Sequence, residues 1–373
     1  MTEARSRRTV AGIIGTGFMG EVHARAIRRS GAELRRVVGS TPERSREAGE
    51  RLGLDRFTDD LATLLADPEI DVVHVCTPNA THAEFVRAIL DAGKHVICEK
   101  PLAVTADEAD DLTRRADAAG LVATVPFVYR FYPMVREARA RLASGASGEV
   151  RLLHGSYLQD WLAQTDDDNW RVSAEHGGAS RAFADIGVHW CDLLEFVTGH
   201  RITRVTARTL IAMPERAGRP VTTEDAAVLL LETDRGATGT LTVSQISPGR
   251  KNRLWFSVDA ARESLSFDQE NPDSLWVGGR DVNQQLLRGA RPAAGAASYD
   301  VLPAGHPQGY QDCFDAFVRD TYAALRGGKP DGLPTFADGL RAARITAAVI
   351  ESAATGTWVD IDELHTPEQE LIA

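Results

Sequence analysis

The sequence predicts two architectures in series: an α/β half built on a doubly wound parallel sheet, and an α+β half built on an open, mainly antiparallel sheet packed on helices. Three observations predict this. Short apolar runs alternate with helix-patterned segments as far as Val125, the signature of βαβ units. The first run, Val10 to Ile14, passes directly into a glycine turn and a helical pattern. Beyond the small-residue turn from Gly145 to Gly148, extended alternating runs predominate, as expected of strands with one solvated face.

The chain has 373 residues, 43% hydrophobic and 25% charged, which is globular usage and enough for two domains with their own cores. We place them at residues 1–130 and 131–373. With 42 basic and 53 acidic residues the net charge is −11, so there is no basic footprint for nucleic acid and small-molecule partners are expected. Cys76, Cys98, Cys191 and Cys313 stand far apart without Cys-x-x-Cys spacing and read as reduced core thiols of a cytoplasmic protein. Ser6-Arg7-Arg8 before the apolar stretch Thr9 to Ile14 superficially resembles a twin-arginine leader. That run is short, has no cleavage site behind it and leads into a glycine motif that cleavage would destroy, so it is not read as one. No later apolar run reaches the ~20 residues of a membrane span, and no membrane partner is expected.

Taken in order, the strand Val10 to Ile14 runs into Gly15-Thr16-Gly17-Phe18-Met19-Gly20 and a helix from Glu21 to Arg29. The first glycine permits the tight turn, the second lets a pyrophosphate approach the backbone, and the third lets helix pack on strand. Phosphates would then lie at the helix N-terminus, over Phe18 and Met19. The next strand, Leu34 to Gly39, ends at Ser40 with no acid for a ribose 2′-hydroxyl. Ser40 and Thr41 offer hydroxyls, and Arg44 can pair with a 2′-phosphate. NADP is therefore favoured and NAD is the alternative; Arg44 as a solvated helix charge, like Arg46 and Arg51, is the competing account. A helix from Asp60 to Ala66 precedes the strand Val72 to Cys76, which ends in Thr77-Pro78-Asn79-Ala80-Thr81-His82. Asn79 or Thr81 is expected to cap the following helix, through Phe85 to Ala92, and a capping residue can also face a cofactor.

The run His95-Val96-Ile97-Cys98 then breaks into Glu99-Lys100-Pro101. Pro101 lacks an N–H and cannot prolong a central ladder, so Glu99 and Lys100 stand at the carboxyl end of a strand, where ligands lie in open α/β sheets. On local residues alone a solvated loop lysine accounts for Lys100 equally well. A helix from Thr105 to Ala119 and a strand from Val122 to Val125 complete this half.

In the second half a helix from Tyr132 to Ala143 leads to alternating runs at Val150 to Trp161, Arg204 to Ala212, Ala226 to Leu231, Ala237 to Gln245, Leu254 to Val258 and Ser264 to Phe267. Along the first of these, Tyr157, Gln159 and Trp161 share one face. They form either a wall for a polyol, rings against C–H faces and amide to hydroxyls, or a packed sheet face. The acidic run Asp166 to Asp168 reads as a solvated loop. Asp185 and His189 are spaced i, i+4 with Asp192 a turn further on. A structural pair, a metal site and an acid/base pair compete there; without a further clustered ligand no metal is expected. Gly289 to Ser298 reads as a flexible loop, His306 and Tyr310 as bordering the cleft, capping a helix or meeting another subunit, and two helices follow at Asp312 to Arg326 and Ala337 to Ala354.

Gly15-x-Gly17-x-x-Gly20, Thr77-Pro78-Asn79 with His82, and Glu99-Lys100-Pro101, in this order and spacing, resemble the glucose-fructose oxidoreductase, inositol dehydrogenase and rhizopine catabolism (Gfo/Idh/MocA) family. Phe183 to Trp190 is similar to its Asp/Gly/His helix motif, and Trp170-Arg171 to its cofactor-side pair. The resemblance implies a Rossmann domain, with Thr77, Pro78, Asn79, His82, Glu99, Lys100, Trp170 and Arg171 toward the cofactor. It implies Lys100 as catalytic lysine with Asp185 and His189 as partners, all three touching substrate. Where that family often has Asn before Tyr-Arg, Val128 precedes Tyr129-Arg130; Tyr129 is expected to line the cleft. The expected reaction is hydride transfer between nicotinamide and a secondary hydroxyl or ketone of a sugar, glycoside or cyclitol. A lysine at its ordinary pKa of about 10.4 is a poor base at neutral pH, so burial and the positive ring must favour the neutral amine. A lyase or glycosidase acting through transient oxidation, and a non-catalytic nucleotide sensor, are the alternatives. An open sheet leaves a large face for burial, so a homodimer or homotetramer is expected.

Overall fold

A computed structural model describes residues 7–54, 60–289 and 293–361. The first part alternates β1 (Val10–Ile14), α1 (Phe18–Arg29), β2 (Glu33–Val38), α2 (Pro42–Arg51), α3 (Leu61–Ala66), β3 (Val72–Val75), α4 (His82–Asp91), β4 (His95–Cys98), α5 (Ala106–Ala119) and β5 (Ala123–Thr124). The strands form a five-stranded, wholly parallel sheet in the order β2-β1-β3-β4-β5. Its central strands are buried on both faces, as βαβ crossovers require. The order reverses direction between β1 and β3, and this switch point leaves a crevice at their carboxyl ends.

After α6 (Pro133–Ala143) the chain enters β6 (Val150–Leu158), a short α7 (Ala174–Gly177), a π-helical turn at Phe183–Gly187 and α8 (Val188–Thr198). There follow β7 (Ile202–Leu210), β8 (Glu215–Arg216), β9 (Arg219–Pro220), β10 (Ala226–Thr233), β11 (Thr238–Ser244), β12 (Arg253–Ala260), β13 (Glu263–Asp268), β14 (Ser274–Gly279) and β15 (Asn283–Leu287). The last elements are α9 (Ala294–Ala297), α10 (Tyr310–Leu325), α11 (Phe336–Thr355) and β16 (Val359–Asp360). Nine of these strands make one sheet, β15-β14-β13-β12-β6-β11-β10-β7-β16, antiparallel except for β6 with β11. The alternation of β10 and β11 buries Leu229, Leu231, Leu241 and Val243 while Val228 and Leu230 face outward.

The C-terminal helices return to the parallel sheet. Phe314 of α10 packs edge-on against His23 of α1, and Thr124 pairs with Thr335 just before α11. Both sheets consequently share one continuous apolar core.

Several sequence expectations need correction. β6 ends at Leu158, so Gln159 and Trp161 lie in the loop beyond it. Neither Asn79 nor Thr81 caps α4 with its side chain: Asn79 Nδ2 donates to Gly177 O at 3.0 Å, and the Thr81 hydroxyl turns to Thr77 and the Pro78 carbonyl. Within the proposed loop, residues 294–297 form a helical turn and 290–292 lie outside the described residues; so does Ser6 of the twin-arginine pattern. β14 and β15 were not anticipated, because Gly278, Gly279 and the Gln-rich β15 carry little apolar alternation. Among the described residues no helix is long and apolar enough to cross a membrane.

Candidate active site

The ends of β1, β3 and β4 meet at the crevice, with the end of β2 beside the first. At the first, Gly15 has φ +109° and a Cβ there would lie 2.3 Å from Cys76 O, so only glycine turns there without collision. Gly17 is the N-cap of α1 and no side chain caps the helix, while a Cβ at Gly17 would meet nothing within 4 Å. Open space over uncapped helical N–H groups is what a pyrophosphate requires, so the residues present fit a dinucleotide. Gly20 backs onto Gly15 O, Met19 is half-buried and Phe18 is 70% exposed. At the end of β2, Ser40, Thr41 and Arg44 are all exposed; Thr41 Oγ1 caps α2 and Arg44 Nη1 reaches Ser40 Oγ at 3.4 Å.

At the second strand end His82 does not face the crevice. It is wholly buried, its ring nitrogens 2.9 Å from Thr77 O and 2.7 Å from Pro101 O, and it ties the turn after β3 to the turn after β4. Thr77, Pro78 and Asn79 form that turn, with Asn79 bonded to Gly177 of the other half.

At the third end the two adjacent side chains part. The Glu99 carboxylate turns inward, 6% exposed, to His23 Nε2 at 2.9 Å, rather than toward the crevice side where the resemblance implies a cofactor. Lys100 points the other way: its Nζ lies 2.6 Å from Asp185 Oδ1 and 2.9 Å from Asp185 O. Asp185 Oδ2 accepts from Gln245 Nε2 at 2.8 Å, and Arg171 Nε lies 3.4 Å from Oδ1. Burial opposes ionisation of Asp185, but Lys100 and Arg171 outweigh it and hold the carboxyl well below the usual range. The Arg171 guanidinium, which faces the Lys100–Asp185 cluster, stacks on the Trp170 ring 4.4 Å away.

Asp185 sits in the π-helical turn and His189 in the α-helix after it, so the i, i+4 spacing does not bond them. π-turns recur at functional sites because they re-aim side chains. This one depends on Gly187, where a Cβ would meet the Phe183 ring at 2.4 Å. Glu224 anchors its start by accepting from Ser180 Oγ and the N–H groups of Arg181 and Phe183. The His189 ring packs edge-on against Phe127 and Tyr129, with Tyr157 beyond. Burial pushes its pKa well below the usual range, and Lys100 adds to this. Its Nδ1 is buried without a partner. Asp192 is no part of the cluster: it binds Arg130, which also reaches Asp338.

The aromatic and amide wall is a closed network. Asn252 Oδ1 accepts from the Tyr157 hydroxyl at 2.8 Å and from Gln159 Nε2 at 2.7 Å, Trp161 Nε1 donates to Gln159 Oε1 at 2.7 Å, and the Tyr129 and Tyr157 hydroxyls bond each other. Burial pushes Tyr129 up to about 12. Tyr310 starts α10 with its hydroxyl 3.9 Å from Met19 Sδ, at the glycine turn, whereas the His306 carbonyl is bound by Arg288. Sequence reasoning missed Gln245 and Asn252. Gln245 ends an alternating run in the way Lys100 does, which is a usable signal; Asn252, in a short loop before β12, carries none.

The fold and the crevice define a dinucleotide-binding oxidoreductase. A family profile described as "Oxidoreductase family, NAD-binding Rossmann fold" matches residues 10–127, and the GFO/IDH/MocA C-terminal domain profile matches residues 135–265. The chain belongs to the Gfo/Idh/MocA family. Levoglucosan dehydrogenase of Pseudarthrobacter phenanthrenivorans is 31% identical, over 95% of this chain and 98% of that protein. The scyllo-inositol 2-dehydrogenase (NAD(+)) of Bacillus subtilis is 27% identical, over 78% and 79%. Among solved structures, levoglucosan dehydrogenase in complex with NADH and levoglucosan superposes with a TM-score of 0.90 at 30% identity, covering 96% of this chain and all of that one. An inositol dehydrogenase homolog complexed with NAD+ from Azotobacter vinelandii gives 0.86 at 30% identity, covering 95% and 98%.

Proposed function

We propose that the protein is an NAD(P)-dependent dehydrogenase or reductase that transfers a hydride between nicotinamide and a secondary hydroxyl or ketone of a sugar, glycoside or cyclitol. The observation that carries this reading is the Lys100–Asp185 pair, 2.6 Å apart across the crevice between the two sheets, with His189 on the same helical segment. The substrate class rests on relatives that are named levoglucosan dehydrogenase and scyllo-inositol 2-dehydrogenase.

A nicotinamide cofactor supplies the hydride acceptor or donor. Lys100 takes the proton of the reacting hydroxyl in oxidation and returns it in reduction. Asp185 orients the Lys100 amine, and Gln245 and Arg171 hold Asp185. His189, kept neutral by burial, orients the hydroxyl; with Nδ1 enclosed, Nε2 is the nitrogen left for substrate. Tyr129, Tyr157, Gln159 and Trp161, knit through Asn252, form the wall against which a polyol packs. The glycine turn, Ser40, Thr41 and Arg44 hold the dinucleotide, with Thr77, Pro78 and Asn79 beside it. With no acid at the end of β2, the residues of this chain favour NADP, and NAD is the alternative that the neighbours' bound cofactors support. The chain works in the cytoplasm, in keeping with its four free cysteines.

A second copy of this chain covers the open face of the nine-stranded sheet. Register places Leu152, Val228, Leu230 and Trp276 on that face, 40 to 53% exposed, among threonines and serines of the intervening strands.

The test is a panel of sugars, anhydrosugars, glycosides and inositols with NAD and with NADP, followed by reduced-nicotinamide absorbance. Substrate-dependent reduction supports the proposal. Product without net reduction supports the lyase reading, and silence across the panel with cofactor still bound supports the sensor.

A further inference from the structure

A second line of polar groups ends on the same turn as the lysine, from the opposite side. Glu99 Oε1 lies 2.9 Å from His23 Nε2 in α1, His23 Nδ1 lies 2.8 Å from His74 Nδ1 in β3, and His74 Nε2 lies 2.8 Å from the Tyr322 hydroxyl in α10. Both histidines are wholly buried and meet edge-on, with Phe314 and Tyr322 closing the sides. Burial pushes His74 well below the usual range, and His23 adds to this, so its ring carries one proton.

A carboxylate only accepts, so His23 gives it Nε2–H. One proton lies between the two Nδ1 atoms: held by His74 it leaves His74 Nε2 to accept the Tyr322 hydroxyl, and held by His23 it leaves His74 Nε2–H to donate to the Tyr322 oxygen. Each donor and acceptor along the line is used once. At its far side Glu99 Oε2 accepts the main-chain N–H of Lys100 at 3.3 Å, while the Glu99 N–H is bonded to Val75 O.

An aliphatic residue would fill position 74 as Val72, Val73 and Val75 do around it, and would avoid burying polar groups in the middle of a parallel sheet. Two histidines and a phenol in that place need a gain elsewhere. We propose that His23 and His74 are positioning residues for Lys100: the line from Tyr322 fixes the Glu99 carboxylate and, through it, the main chain from which the lysine projects. The inference rests on Lys100 as the proton-transferring group.

Two measurements test it on the full chain. Long-range proton–nitrogen spectra of protein labelled with ¹⁵N-histidine should show a single ring proton on His74 and a proton on His23 Nε2; a His23 Nε2 that carries no proton overturns the line. In kinetics with the best-oxidised compound of the panel, His23→Leu should bind the dinucleotide as the wild type does, by quenching of protein fluorescence. It should keep KM within about twofold and lose about 10- to 100-fold in kcat, the worth of one hydrogen bond to a charged group. His23→Gln, whose amide N–H can replace the donor to Glu99, should recover most of that loss. Where His23→Leu does not fold, Tyr322→Phe removes a single oxygen and should lower kcat several-fold at unchanged KM. A folded variant of either kind with wild-type kcat overturns the positioning role. Lys100→Met separates the two readings: if it retains turnover the function proposed for Lys100 falls, whereas an inactive Lys100→Met beside a fully active His23→Leu removes only the positioning role.

Discussion

Gln245 Nε2 donates to Asp185 Oδ2 at 2.8 Å, the oxygen that Lys100 leaves free. The carboxylate is thereby held by a donor on each oxygen, one from the end of β4 and one from the end of β11, and its plane is set before any substrate arrives. Gln245 is wholly buried, so replacing it strands one lone pair of a buried anion. Gln245→Leu should lower kcat about 10- to 100-fold, from the roughly 1.5–3 kcal/mol of a hydrogen bond to a charged group. Steady-state kinetics check this, with the affinity for dinucleotide unchanged because Gln245 stands apart from the glycine turn.

Lys100→Met should remove most turnover while leaving dinucleotide binding intact. General acid–base assistance is worth about 10² to 10⁴ in rate, and the lysine makes no hydrogen bond to the glycine turn among the described residues. Single-turnover hydride transfer measured beside cofactor binding checks both halves of the statement; a normal rate would remove Lys100 from the chemistry.

Asp185 also makes the site sensitive to acid. Its carboxyl is held well below the ordinary range although burial acts the other way, because Lys100 and Arg171 stand against it. The unfolded chain therefore takes up the proton first, at about pH 3.9, and stability conferred by the ionised form is present above that value. It is lost as pH falls toward the folded value. Between about pH 5 and pH 3 the melting temperature of the wild type should fall more steeply than that of Asp185→Asn, whose amide does not titrate. Equal slopes in calorimetry would mean that the ion pair contributes nothing to folding.

The strand ends were legible in the sequence because an apolar run that stops at a proline or a glycine is a one-dimensional pattern. Gly15, Ser40, Thr77 and Lys100 were all found in that way. What became of the residue next to each end was not legible. Glu99 and Lys100 are adjacent and of opposite charge, and alternation along the chain sends one inward to His23 and the other outward to Asp185. Nothing local reveals that a histidine on α1 is waiting for the first. His82 matched a family motif, yet its two backbone contacts hold turns together. The i, i+4 reading of Asp185 and His189 assumed an α-helix, and the π-turn enforced by Gly187 against Phe183 separates their roles. Gln245 and Asn252 arrive from a sheet whose register only the folded chain reveals.

Arg44 is the residue on which cofactor choice turns. It is exposed at the start of α2 with Nη1 3.4 Å from Ser40 Oγ, while the neighbouring Glu43 carboxylate bonds Thr41. Arg44→Ala should lower kcat/KM for NADP about 10-fold or more, the scale of a charge-assisted hydrogen bond to phosphate, and leave that for NAD within about twofold. Arg44→Glu should reverse any preference for NADP. Kinetics with both cofactors decide the matter, and equal losses for the two would make Arg44 a surface charge only.

The outward face of the large sheet carries its own prediction. Leu230 is 47% exposed on β10, flanked in register by Thr240 and Thr206, so the subunit alone tolerates almost any polar side chain there. An arginine at that point would have to be desolvated if a second copy lies over the face, and a buried unpaired charge costs several kcal/mol. Leu230→Arg should therefore leave the melting profile of the isolated fold close to that of the wild type while shifting the molar mass by light scattering from a dimer or tetramer to the monomer. Lys100 lies at the carboxyl ends of the other sheet, so a monomer that keeps its kcat would show that assembly does not complete the site, whereas a wild type that is already monomeric removes the second copy from that face.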